Sequence, residues 1–289
     1  MKLELSKIEV FAQTNVGKVR KNNEDALLVI PQAQCFVVSD GMGGGKAGEV
    51  ASALMVKEIE TVFKKAVQIP AEREGLVIRS AYKVNELICD YAQKHHYSSM
   101  GATFVCLLLD SWQPTLGTIF HAGDSRVYRV REKEIELLTE DHTVAAASKM
   151  DEGKLAPMFR GVLTNALGTG SDFFLERTAI DIQEEDLYIL CSDGLSRMVA
   201  DSEIRYICEM LSNESCETIC NELIGTALNN GGRDNVSVIV MRVKQMGREY
   251  QPTDEEAARE SDAQVRNLMD LSDTPPTEVV SASELFKNS

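Results

Sequence analysis

The sequence predicts an α+β protein, a four-layer α-β-β-α sandwich of two antiparallel sheets packed face to face with helices outside. Three observations carry that prediction. Four short apolar or alternating runs, TFVCLLL, LGTIFHAG, RVYRV and IELL, follow one another between turn residues, as consecutive antiparallel strands do. TFVCLLL, LYILC and much of NVSVIV are apolar on both faces, which suits strands covered by a second sheet on one side and by helices on the other. Helical stripes come in two pairs, one early in the chain and one late.

In chain order, IEVFAQT and ALLVI read as strands joined by the polar stretch NVGKVRKNNED, and CFVVS supplies a third. After a glycine cluster, GEVASALMVKEIETVFKKA carries Val50, Leu54, Met55, Ile59, Val62 and Phe63 at spacings of three and four, one face of a helix. A second helix has its stripe at Val77, Ala81, Val84, Ile88 and Tyr91 and ends before the polar HHYSSM. The four strand runs come next and are expected to be consecutive strands of one antiparallel sheet. Residues 142 to 170 have weak periodicity and several glycines, and are expected to form a mobile insertion. Strand character returns at FLERTAIDI and LYILC. Helices over about 199 to 211 and 216 to 229 and the strand NVSVIVMRV close the pattern.

From residue 247 the texture changes. Ten acidic and four basic residues in 247–289, with almost no aromatics, predict a largely disordered acidic tail, and Thr253 and Glu256 have the spacing of a capping box for one short helix. The expected organisation is one domain over 1–246 and the tail over 247–289.

The formal net charge of −15 sets a field that repels nucleic acid and anionic membranes, so neither is an expected partner. Seven cysteines, an odd number, lie mostly inside apolar runs and read as reduced core residues of a cytoplasmic protein. Cys216 and Cys220 share a helix face without partner ligands and read as packing. The N-terminal MKLELSKIEV lacks the apolar segment of a signal peptide, and no run approaches the ~18 apolar residues of a membrane span.

Function is concentrated in a repeated stretch: CFVVSDGMGG at 35–44 has a near twin in YILCSDGLSR at 188–197. Asp-Gly after a strand is ordinarily a hairpin turn and predicts another strand at once. Here helical patterns follow both copies, which makes Asp40 and Asp193 candidates for a shared functional location. Gly43, Gly45 and Gly48 satisfy G-x-G-x-x-G, but a dinucleotide fold needs a strand after the following helix, and this chain runs into another helix. A phosphate-binding Walker loop fails because Ala47 follows Lys46. Further acids stand at strand ends: Glu24 and Asp25, Asp124, and Asp234 beside Asn235. Collected at one rim of two packed sheets, these carboxylates would repel unless a cation sat among them. An all-oxygen set favours Mg2+ or Mn2+ over zinc.

The ordered series TNVGKVRKNNED, VVSDGMGG, MGATF, HAGDSRVY, LTEDHT, LTNALG, LCSDGL and GGRDNVSV resembles the metal-dependent serine/threonine protein phosphatases, the type-2C family, in its bacterial branch. The likeness spans roughly residues 8 to 243, and that family's fold agrees with the element order read above. The resemblance implies that Asp40 bridges two ions, Mn2+ or Mg2+, with the Gly41 carbonyl joining one of them. Asp193 and Asp234 would ligate the first ion and Glu24 would hold water on the second. Asp25 and Asn235 would act mainly through waters or from behind the ligands, and Thr103 would lie near the metal waters. Asp124 and Asp193 match the ligands of a weaker third metal. Arg20 would take the substrate phosphate through its guanidinium fork. The implied activity is direct hydrolysis of phosphoserine and phosphothreonine in proteins, catalysed by Arg20, Asp40, Asp193 and Asp234 in a monomer that opposes a bacterial serine/threonine kinase. Residues 142 to 165 correspond to the family's flap, which affects substrate access.

One departure is Met42, which stands where the eukaryotic branch has a histidine that protonates the leaving group. Water at the metals is then the first candidate for the acid, and His121 the second. His95, His96 and His142 are too few and too scattered for a metal set. Two other functions compete: a catalytically weak phosphoprotein-binding regulatory module, disfavoured by intact Asp40, Asp193, Asp234 and Arg20, and a nucleotide-binding oxidoreductase resting on the glycine match alone. In the tail, Thr274 and Thr277 flank two prolines and are candidate phosphorylation sites for docking a partner.

Overall fold

Period-two alternation in the central strands sorts their side chains into different cores. A computed structural model describes residues 5–66, 73–150 and 152–249. The strands are β1 Lys7–Asn15, β2 Asp25–Ile30, β3 Cys35–Met42, β4 Gly101–Ala102, β5 Phe104–Leu109, β6 Leu116–Ala122, β7 Arg126–Arg131, β8 Glu134–Leu137, β9 Glu176–Asp181, β10 Leu187–Cys191 and β11 Val236–Gln245. The helices are α1 Lys46–Ala66, α2 Arg73–His95, α3 Val144–Ser148, α4 Asp193–Ser196, α5 Asp201–Met210 and α6 Cys216–Asn229. One sheet runs β1-β11-β10-β7-β8 and the other β2-β3-β5-β6-β9, with β4 paired to β3. Pairing within both sheets is antiparallel.

Every residue of β5 is buried: Phe104, Cys106 and Leu108 pack beneath α1 and α2, while Val105, Leu107 and Leu109 face the other sheet. β10 and β11 repeat the arrangement, with Ile189, Cys191, Val238 and Val240 beneath the late helices and Tyr188, Leu190, Ile239 and Met241 turned inward. Helix, sheet, sheet, helix is therefore the order of layers, as the sequence predicts.

One expectation is corrected. The four strand runs do not share a sheet: β5 and β6 form a hairpin in one, and β7 and β8 a hairpin in the other. Residues 123–125 carry the chain across. Gly123 sits there at φ 112°, where an added Cβ would come within 2.7 Å of the Thr103 side chain, so the crossing closes tightly against β5. The segment 142–170 is tied in at its two ends. Thr143 caps α3 through its Oγ1, bridges pair Thr143 with Leu163 and Ala102 with Leu167, and Ala166 and Leu167 are buried.

All seven cysteines are unbridged and six of them are buried. Among the described residues no helix is long and apolar enough to cross a membrane. The tail from residue 250, with Thr253, Glu256, Thr274 and Thr277, lies outside the described residues.

Candidate metal centre

Antiparallel pairing of β2 with β3 places Asp25 directly opposite Asp40. Like charges in that register destabilise a sheet, so their retention requires compensation. The neighbouring backbone is pinned: the Gly41 amide donates to the Glu24 carbonyl at 3.0 Å, and the Thr103 amide donates to the Asp40 carbonyl at 2.8 Å. Thr103 Oγ1 accepts the Asp40 amide at 2.9 Å and lies 2.6 Å from Ser125 Oγ.

The glycine-rich link before α1 serves a carboxylate. Glu24 Oε1 accepts the Gly45 amide at 2.8 Å. A Cβ at Gly48 would stand 1.9 Å from Glu24 Oε2, so this glycine is the space the side chain occupies. Backbones also touch: a Cβ at Gly41 would meet the Gly48 carbonyl oxygen at 2.1 Å. With both sheets antiparallel and α1 leading to α2, the dinucleotide reading is overturned.

The other sheet contributes from the ends of β10 and β11. Asp193 opens α4, and a Cβ at Gly194 would fall 1.9 Å from the Asn235 carbonyl oxygen, which holds α4 against the start of β11. Ser192 Oγ donates to Asp25 Oδ2 at 2.8 Å and accepts the Ser237 amide at 3.0 Å, tying the two sheets together at the acids. Asn235 is a clamp: its Oδ1 accepts the Glu24 amide and its Nδ2 donates to the carbonyls of Val16 and Asn22, each at 2.9 Å. Arg20 reaches Asp234 Oδ2 at 2.7 Å from the exposed rim. Arg197 spans two acids, Asp193 Oδ2 at 3.0 Å and Asp124 Oδ2 at 3.1 Å.

Burial, followed by the charges of Asp25, Asp193, Asp124 and Asp234, pushes the Asp40 pKa well up. Burial likewise pushes Asp25 up to about 6 and Asp124 up to about 7, and raises Asp193. Asp25 Oδ1 and Asp193 Oδ1 are buried without a hydrogen-bond partner among the described residues. Orphaned anionic oxygens in a carboxylate cluster are what a hard divalent cation requires, so the residues present fit such an ion.

Every residue expected from the sequence stands in one continuous set of contacts: Arg20, Glu24, Asp25, Asp40, Gly41, Thr103, Asp124, Asp193, Asp234 and Asn235. Sequence reading missed Ser192 and Arg197, and saw Gly48 only as part of a glycine pattern, not as the space for Glu24. Ser192 had a signal, because serine precedes aspartate in both repeated stretches, and Arg197 lies one helical turn after Asp193.

His121 is not placed as an acid. It is buried beside His142 and Glu176 with neither ring nitrogen hydrogen-bonded among the described residues, and burial depresses its pKa to about 4. His121, His142 and Glu176 gather ligand-type atoms within 4.8 Å of one another. The tautomer of His142 defeats a metal there. The Gly123 amide and Asn165 Nδ2 both donate to His142 Nδ1, at 3.2 and 3.0 Å, and Asn165 is oriented by its two bonds to Phe174. The His142 proton therefore sits on Nε2, donating to Glu176 Oε2 at 3.0 Å, and occupies the atom a metal needs.

An α-β-β-α sandwich whose sheets converge on a rim of buried carboxylates is the class these features define. The family model for Protein phosphatase 2C matches residues 17–229, and the chain belongs to that family. It is 29% identical over 250 residues to the serine/threonine phosphatase stp of Listeria welshimeri, covering 82% of this chain and 97% of the relative. Among solved structures, PppA, a key regulatory component of the T6SS in Pseudomonas aeruginosa, aligns with a TM-score of 0.74 and 32% identity, over 83% of this chain and 99% of that one. The catalytic domain of serine/threonine protein phosphatase PstP, solved with two manganese ions, aligns with a TM-score of 0.70 and 29% identity, over 82% and 99%.

Proposed function

We propose that this protein phosphatase hydrolyses phosphoserine and phosphothreonine in protein substrates at a two-ion centre, Mn2+ or Mg2+. The observation that carries the reading is the convergence of Asp25, Asp40, Asp193 and Asp234 with two buried carboxylate oxygens left unpartnered. Asp40, Asp193, Asp234 and the Gly41 carbonyl would hold the ions, and Glu24 would serve them through water. Asp124 is a candidate for a third. Bound there, divalent ions lower the pKa of water between them and offset the charge that develops at phosphorus.

The chain's own residues prepare that chemistry. Asn235 and Gly45 hold Glu24 from its backbone and its side chain. Ser192 fixes one oxygen of Asp25 and leaves the other open. Arg20, half exposed beside Asp234, exchanges that partner for the phosphate oxygens of an arriving substrate, a fork that matches two of them at once. Met42 has no proton to donate and His121 is uncharged at neutral pH, a poor acid, so the leaving oxygen is protonated by water at the open rim. Substrates in this reading are phosphorylated cytoplasmic proteins, a serine/threonine kinase among them.

Hydrolysis of p-nitrophenyl phosphate by the purified chain, with and without Mn2+, tests the proposal beside Asp193→Ala. The expected outcome is metal-dependent turnover that falls at least about 100-fold in the variant, beyond the 10–100-fold typical of residues behind the ligands. Equal rates for both proteins would make the chain a phosphoprotein-binding module instead.

A further inference from the structure

Beside Asp234, the loop over residues 16–22 is laid against the turn over 231–234. The Lys18 amide donates to the Gly232 carbonyl at 2.7 Å, the Gly17 amide to Asn15 Oδ1 at 2.9 Å, and Asn235 Nδ2 to the carbonyls of Val16 and Asn22. Gly17 has φ 79°, and a Cβ there would fall 2.2 Å from the Asp234 carbonyl oxygen. Backbone groups thus fix the loop from end to end.

Its side chains face outward, and they are of two kinds. Val16 and Val19 are 38% and 65% exposed. Lys18, Lys21 and Arg233 are exposed and make no ion pair among the described residues, whereas Arg20 between them is neutralised by Asp234. On a chain of net charge −15, three unpaired cations around two exposed valines invert the local sign. Such a patch fits an acidic segment that also carries apolar side chains.

The chain itself supplies one. VRNLMDLSD at 265–273 sets Val265, Leu268, Met269 and Leu271 among Asp270 and Asp273, with Arg266 as its one cation. Reach and composition select it over the acids that precede it. β1 pairs with β11 so that Lys7 lies opposite Gln245 and Asn15 opposite Val236, and the Gly247 amide donates to Ser6 Oγ at 2.9 Å. The chain therefore leaves the sheet at the end away from the loop, and the nine residues of β1 separate those ends by roughly 30 Å. Asp254, Glu255 and Glu256 follow Glu249 so closely that even full extension carries them only about 25 Å, short of the patch. Leu268 lies 19 residues beyond Glu249, enough for about 60 Å. Residues 251–264 hold acids but no large apolar side chain.

We propose that residues 265–273 dock on the 16–22 loop of their own chain, apolar side chains on Val16 and Val19 and carboxylates on Lys18, Lys21 and Arg233, and that the docked segment restrains the approach of phosphoproteins to Arg20. The docking stands apart from the phosphatase reading, and the restraint rests on it.

The test uses the full chain throughout. A water-soluble carbodiimide joins a lysine amine to a carboxylate only where the two touch, and a mixture of isotope-labelled and unlabelled protein separates bonds within one chain from bonds between copies. Peptide mapping is expected to find Lys18 or Lys21 joined to Asp270 or Asp273 within one chain, with a yield that falls as ionic strength rises. kcat/KM for a phosphothreonine peptide should rise at least about threefold when Leu268→Ser, Asp270→Asn, Leu271→Ser and Asp273→Asn are combined. The same four changes made on top of Lys18→Glu/Lys21→Glu should have no further effect, and because each comparison is made within one background, a general effect of the lysines cancels. No such cross-link, cross-links only between copies, or a kcat/KM that the four changes leave as it was overturns the proposal. p-Nitrophenyl phosphate reports separately on the phosphatase reading: its failure to turn over would sink that reading and leave the cross-link map to decide the docking.

Discussion

Gly48 shows how a single missing side chain shapes the centre. Its Cα faces Glu24 so closely that a methyl group would lie 1.9 Å from Glu24 Oε2 and 2.7 Å from the Gly41 carbonyl oxygen. The carboxylate end is flexible and yields first, while the 2.7 Å contact also pushes on the Gly41 carbonyl. Gly48→Ala is therefore expected to leave the chain folded but to swing Glu24 off the Gly45 amide, with p-nitrophenyl phosphate turnover falling at least about tenfold, in the range seen when a residue supporting a metal is displaced. Full activity in the variant would remove Glu24 from the proposed ligand set. Arg197 poses the opposite case, a cation already in place. Its guanidinium neutralises Asp193 and Asp124, the pair that the family likeness associates with a third ion. Replacing it with glutamine frees both carboxylates, so calorimetric titration with Mn2+ is expected to show the bound ions rising from two to three per chain. An unchanged count would mean that Asp124 takes none.

At the scale of elements, β5 and β10 hold the two layers together because both of their faces are covered. Leu107, fully buried among Val38, Val105 and Tyr188 in the layer between the sheets, has no route to solvent when truncated. Leu107→Ala should cost about 2–5 kcal/mol in denaturant unfolding, the range for a core leucine that leaves a cavity. Much less would mean that the sheets close over the gap. These strands were legible in the sequence because a run apolar on both faces is a local pattern. Asp40 and Asp193 were legible for a related reason: both end such runs in Ser-Asp-Gly and lead into helical spacing. Sheet membership is not local. β6 and β7 look like neighbours, yet Gly123 turns the chain across the sandwich where it closes on Thr103. Ser192 escaped notice because its partner Asp25 is 167 positions away, and only the packing of the sheets joins them.

For the whole molecule, closing the sandwich and assembling the centre are the same event, since Asp25 and Asp40 ride on one sheet while Asp193 and Asp234 flank strands of the other. Folding without cations thus works against charge repulsion, and pH should reveal it. Burial pushes Asp25 up to about 6 and Asp124 up to about 7, whereas both ionise near 3.9 in an unfolded chain. Between those values the folded state binds more protons than the unfolded one, so metal-free stability falls as pH rises. His121 works in the other sense: its pKa of about 4 in the fold lies below an unfolded value near 6.5, so it adds stability as pH rises through 6.5, with a slope already halved there and fading by about pH 7.5. Above pH 6.5 the carboxylates are left to dominate. With chelator present, the melting temperature should drop by at least about 3 °C from pH 6.5 to 8, which for a chain of this size corresponds to about 1 kcal/mol. Mn2+ should reverse the trend and raise the melting temperature more at pH 8 than at 6.5, because ligand oxygens bind only when ionised and a ligand of the folded state stabilises it by mass action. A melting temperature that is flat in chelator and indifferent to Mn2+ would mean that the acids meet without strain, and the electrostatic reason for a cation at their centre would be gone.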